Sequence, residues 1–231
     1  VSLTKTYATT AGSSGGGTSL TTGTFDASAY THAVAFIKHE GSSVTLSMAD
    51  NKGTSVFNAL TAVHHSNSDL HSQMFWWKIA SPGTGMTVTA SLSASRSFLF
   101  LPVWLINATG GTLEQDAEAA ASGTSTTPDG GSLATTGVSV VSFMACGLYT
   151  AANGAATGGW SEDYDDNALG AQGWAGSRGP ETTTPIDPQM NWAPTNDAWT
   201  VNSVSLREPS APYMTPYPKL LAQRNRRHFL R

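Results

Sequence analysis

Only 12% of the 231 residues are charged, about half the usual share of roughly 25%, which argues against a helical bundle or coiled coil built on long charged helix formers. Seven Trp, eight Phe and six Tyr carry too much apolar surface for a wholly disordered chain. The charge is divided unevenly: residues 1–218 hold 7 basic and 16 acidic groups, a formal −9, while residues 219–231 hold five basic groups and no acid.

In chain order the sequence is a series of short strand-like runs set apart by Gly, Ser, Thr, Asn and Asp. In His32 to His39, Ala33, Ala35 and Ile37 alternate with Val34 and Phe36, so both faces are apolar and a central strand is predicted. Val44 to Ala49 runs into the turn Asp50-Asn51-Lys52-Gly53, and Gln73 to Ala80 into Ser81-Pro82-Gly83-Thr84-Gly85. Met86 to Leu92 alternates apolar and polar residues strictly, which predicts one face in the core and one in water. Ser97 to Ile106, Val138 to Tyr149 and Ala198 to Arg207 complete the predicted strands, and Phe36, Val88, Leu99 and Phe143 fall at core positions within them.

Leu113 to Ala121 has the best helix propensity but no apolar stripe to bury, so a short helix and an irregular strand both stay open. Ala151 to Pro194 reads as long loops. The stretch Gly16 to Gly23 echoes Gly130 to Gly137, each ahead of a long apolar strand, as if two halves of one sandwich began alike. The predicted fold is all-β, a two-sheet antiparallel β-sandwich of jelly-roll type over residues 1–207. Residues 208–231 form an extended Pro-rich, basic arm. The longest apolar run, Phe98 to Ile106, is broken by Pro102 and is far short of the roughly 18 residues of a membrane helix, so no membrane partner is expected. The single Cys146, beside Phe143, Met144 and Leu148, reads as a small buried hydrophobe.

Two polar clusters carry residues capable of chemistry. Glu162, Asp163, Asp165 and Asp166 place four carboxylates within five positions, a supply of oxygens for a hard cation, but no EF-hand pattern accompanies them and the expected state is a solvated acidic loop. Adjacency on one loop also argues against the spaced carboxylate pair of a glycoside hydrolase. The run His64-His65-Ser66-Asn67-Ser68-Asp69-Leu70-His71 offers zinc-type ligands without HExxH or paired-Cys spacing, and reads as a polar loop with exposed histidines. No GxSxG elbow, P-loop or dinucleotide fingerprint occurs. No catalytic residue, cofactor or metal is therefore assigned.

Trp160, Trp174 and Trp192 lie among Gly, Asn and Asp, where exposed indoles could stack on a glycan or anchor a partner. The arm has four prolines between Pro209 and Pro218 and then Lys219, Arg224, Arg226, Arg227 and Arg231. With Tyr213, Tyr217, Phe229 and Leu230 as apolar anchors, these cations form a candidate interface for an acidic surface.

The Gly-rich bend and the buried strand after it, followed by Val44-Thr45-Leu46-Ser47-Met48-Ala49-Asp50-Asn51-Lys52-Gly53, the aromatic Phe75-Trp76-Trp77-Lys78, the alternating Thr87-Val88-Thr89 and the closing Trp199-Thr200-Val201-Asn202-Ser203-Val204-Ser205-Leu206, together resemble jelly-roll virion proteins of tailed bacteriophages. The resemblance covers most of residues 1–207 in strand pattern and composition. It implies a non-enzymatic structural role on a phage particle, as a capsid decoration, spike, collar or tail-associated component. The implied partners are other virion proteins and further copies of the chain; packaged nucleic acid is the weaker candidate, because a decoration protein sits outside the shell. A glycan-binding module at a host surface, using the three tryptophans, is the alternative, and an enzyme acting on polysaccharide through the acidic loop is the last.

Overall fold

The computed structural model describes residues 3–136, 139–150, 153–165, 172–182, 184–193 and 197–209, with the backbone alone at 153, 192 and 193. Fifteen strands are found among them: β1 (Leu3–Ser13), β2 (Gly17–Thr21), β3 (His32–Glu40), β4 (Leu46–Asp50), β5 (Phe57–Ala59), β6 (Val63–His65), β7 (Leu70–Lys78), β8 (Val88–Ala108), β9 (Glu114–Ser125), β10 (Val140–Leu148), β11 (Asn153–Ala156), β12 (Ser161–Asp165), β13 (Gly173–Glu181), β14 (Met190–Ala193) and β15 (Asp197–Arg207). The first sheet has the order β1-β8-β3-β7-β5, with β2 and β4 paired to β8 and β6 paired to β7. The second runs β12-β13-β10-β15-β9, and β11 with β14 makes a small ribbon.

All pairings are antiparallel, and the expected all-β sandwich is present. The chain fills the first sheet from residues 3–108 and then the second from 114–207, instead of passing back and forth between sheets as a jelly roll does. Each echoed Gly-rich stretch precedes the middle strand of its own sheet, β3 in the first and β10 in the second.

Three apolar layers explain why β3, β10 and β15 are apolar on both faces. Between the sheets, Val34, Phe36, Phe100 and Trp104 meet Val141, Phe143, Ala145, Val204 and Leu206. On the far face of the first sheet, Ala33, Ala35, Ile37 and Trp77 are covered by Met48, Val88 and Ala90. These last come from β4 and the first half of β8, which pairs with β2 and β4, whereas its second half pairs with β1 and β3. On the far face of the second sheet, Met144, Cys146, Trp174 and Val201 lie under Leu133, Trp160, Ile186 and Met190. Phe36, Val88, Leu99 and Phe143 are all buried as expected.

Two expectations are revised and one open alternative is decided. Val88 to Leu92 of the first run and Ser97 to Ile106 belong to one 21-residue strand, which continues through Phe98 at a left-handed φ of 51°, while Met86 makes an isolated bridge to Phe25. From Glu114 on, the segment Leu113 to Ala121 lies in strand β9, where Ala117, Ala119 and Ala121, two apart, pack on the far core of the second sheet. A register shift opposite Ser205 and Leu206 makes that strand irregular. The stretch expected as loops, Ala151 to Pro194, holds β11 to β14, and β13 lies second in its sheet. Strand β13 is built of small residues, with Gly173, Ala175, Gly176 and Ser177 around Trp174, so it lacks the bulky alternation that marks a strand. The smallness is required: a Cβ on Gly173 would overlap the Phe100 ring of the facing sheet.

Burial also reaches charged and titratable groups. Lys38 is fully buried, with Nζ 2.9 Å from Glu40 Oε1 and its stem against Gly147. Loss of solvent raises the Glu40 pKa against the opposing pull of Lys38. His32, 2% exposed, shares a 2.9 Å hydrogen bond with Thr31 Oγ1. Burial, followed by the Lys78 charge, lowers its pKa from 6.5 to about 4. Between those values the unfolded chain takes up a proton that the folded chain refuses, so stability is complete above 6.5 and falls as pH drops toward 4. Urea midpoints across this window should fall with pH, and less steeply in His32→Gln; an identical slope in the variant would contradict the assignment.

Candidate metal centre

Register places three histidines in a row. Strand β6 pairs with β7 so that His64 faces His71, and β7 pairs with β3 so that His39 faces His71. Directly opposed residues in antiparallel strands share a face with Cβ atoms about 4.5–5.5 Å apart, close enough for the imidazoles to stack. The His64 and His71 rings are 4.1 Å apart at 7°, and those of His71 and His39 are 4.9 Å apart at 8°. The row runs from water to core: the His64 side chain is 45% exposed, His71 8% and His39 1%.

The turn between β6 and β7 adds a carboxylate. Asp69 adopts a left-handed φ of 49°, a conformation its short polar side chain tolerates, and its carbonyl accepts from the Gly41 amide at 2.9 Å. Its Oδ1 lies 3.5 Å from His64 Nε2. One ligand atom each from His64, Asp69 and His71 lies within 4.8 Å of the other two. His65 is held away from this group, its ring nitrogens bonded to Ser68 Oγ at 2.9 Å and to Thr124 Oγ1 on β9 at 3.2 Å. The His64 carbonyl accepts from Ser122 Oγ, so the hairpin is tied to the second sheet.

Nε2 of His71 and Nδ1 of His39 are buried without a hydrogen-bond partner, which costs about 1–3 kcal/mol for each such group. Burial, then the neighbouring His71, lowers the His39 pKa to about 4. Burial also lowers that of His71, with His64 adding to the shift and Asp69 opposing it. The two buried imidazoles are therefore neutral at neutral pH, the form that offers a lone pair to a metal. The run expected as a polar loop is thus two paired strands and a turn, with His71 in the protein interior. His39 is expected from the sequence only as the end of a strand and not as a site residue; its signal is period-two spacing from Ala33, Ala35 and Ile37, which puts it on their face of β3.

The acidic run is not the solvated loop expected. In β12 the carboxylates serve separate donors: Glu162 Oε2 accepts from Trp174 Nε1 at 3.2 Å, Asp163 Oδ2 from Trp104 Nε1 at 2.8 Å, and Asp165 Oδ2 from the Gly154 amide at 3.0 Å. Alternation along the strand sends Glu162 and Asp163 to opposite faces of the second sheet, where buried indoles need acceptors. Asp166 lies outside the described residues.

The expectation of exposed loop tryptophans is likewise corrected. Trp160 is 6% exposed and Trp174 fully buried, since a folded strand β13 and the covering segments enclose them; Trp160 Nε1 donates to the Asp187 carbonyl at 2.8 Å. Trp192 pairs through its backbone with Gly154 in the ribbon, and its side chain is outside the description. Tyr213, Tyr217, Lys219, Arg224, Arg226, Arg227, Phe229, Leu230 and Arg231 all lie outside the described residues. The buried Cys146 thiol has its pKa raised by desolvation, in keeping with a packing role. Comparison with protein-family models, curated proteins and solved structures finds no match for this chain.

Proposed function

We propose that the chain is a non-enzymatic structural subunit of a bacteriophage virion, a capsid decoration, spike, collar or tail-associated component, and that residues 208–231 dock on neighbouring copies. The observation that carries this reading is the charge division: a formal −9 over residues 1–218 against five cations and no acid over 219–231. Such a chain is complementary to itself.

The root of the arm supports it. Arg207, at the end of β15, is ion-paired to Glu114 and to Asp116, the latter at 2.9 Å, and the Glu208 carboxylate accepts from the Gly110 amide at 2.6 Å. Arg207 and Glu208 are thus fixed at a corner of the sandwich. The twenty-three residues after Glu208 reach about 75 Å when fully extended, more than the roughly 45 Å width of a body of this length. The aromatic anchors supply salt-independent contact and the cations supply steering.

The glycan alternative has lost its platform at Trp160 and Trp174, and the enzyme alternative meets carboxylates already committed to indoles and a backbone amide. Sedimentation of the full chain at rising salt tests the proposal. Association should weaken as salt rises from low to physiological strength, and salt-independent association would contradict docking through the cations.

A further inference from the structure

We propose that His64, Asp69 and His71 bind one divalent transition ion of the zinc class. The inference is independent of the virion reading, since it concerns a hairpin of the body and not the arm. Three observations combine. The ligand atoms of these residues already lie within 4.8 Å of one another. A tetrahedral ion with bonds of about 2.0–2.2 Å needs its donors about 3.4 Å apart, and imidazole lone pairs lie in the ring plane, so the exposed His64 ring must turn out of its parallel stack on His71 and Asp69 must rotate toward it to complete the set. His71 is held by its strand and by the stack on His39 behind it, which makes it the fixed ligand. It also carries a buried ring nitrogen with no partner, a polar group that the protein alone leaves unsatisfied within the cluster.

Donor chemistry selects the ion. Two imidazoles and one carboxylate suit Zn²⁺ and its neighbours, whereas Ca²⁺ or Mg²⁺ would want a shell of oxygens. With three protein ligands and two of them at the surface, the fourth position faces solvent, for water or for a donor from a docked molecule. His39, stacked behind His71, lies outside the ligand set and supports the orientation of the ring. A bound ion would join β6, the turn and β7, and so stiffen the hairpin that touches β9.

The test is calorimetric titration of the full, untagged, chelator-treated chain with zinc chloride, alongside the visible spectrum with Co²⁺, which reports four-coordinate nitrogen and oxygen ligation. One equivalent should bind and the melting temperature should rise. His64→Gln and Asp69→Asn, both at exposed positions, should each weaken binding by about tenfold or more, while His65→Gln should bind as the natural chain does. Absence of zinc binding would overturn the site, as would titrations unmoved by His64→Gln and Asp69→Asn, or binding lost in His65→Gln.

Discussion

Truncating Trp104 to alanine should remove about 3 to 5 kcal/mol of stability, the range for deleting a large buried aromatic side chain. Trp104 is fully buried at the centre of the inter-sheet core, where it packs on Phe143 at 5.5 Å between centroids and edge-on to Tyr7 at 6.3 Å. The change opens a cavity against both sheets at once, and close-packed sheets relax only partly. It also strips Asp163 of the indole donor held at 2.8 Å. Trp104→Phe separates these losses, because it keeps most of the volume and removes only the donor; its cost should be clearly smaller. Urea unfolding of the three proteins measures both steps. A Trp104→Ala cost within about 0.5 kcal/mol of zero, the range of surface substitutions, would show that the two sheets do not share this core. Phe36, equally buried and edge-on to Phe100 at 6.2 Å, should respond to truncation in the same range.

What was legible in the sequence followed the size of its side chains. Strands β3, β7, β10 and β15 carry bulky apolar or strictly alternating residues, and all are legible to within a few positions, as are the two halves of β8, though not their continuity. Strand β13 escaped because Gly173, Ala175 and Gly176 look like loop residues until the rings of Phe100 and Trp174 that press on two of them are in view. The same blindness moved Trp160 and Trp174 from core to surface: a tryptophan flanked by glycines reads as exposed, although those glycines are what let the sheet close around it. The acidic run was visible as a cluster, but its role depended on which indoles lay opposite, a matter of register between β12, β13 and β8. For the histidines, the motif from 64 to 71 was visible and its geometry was not. The β6–β7 hairpin had to align with β3, earlier in the chain, before His39, His71 and His64 formed a row.

The proposal that the chain is an assembly subunit predicts that its arm is needed for association and not for folding. The residues that anchor its root, Arg207 and Glu208, remain when residues 209–231 are removed, and the described core lies wholly within the body. The decisive measurement is the sedimentation mass of the chain with and without residues 209–231 at low and physiological salt, with a melting curve of each. The account predicts an assembled full chain, a monomeric truncated chain, and melting temperatures of the isolated bodies within a few degrees of each other. A truncated chain that assembles as the full chain does, or a full chain that stays monomeric throughout, would contradict it.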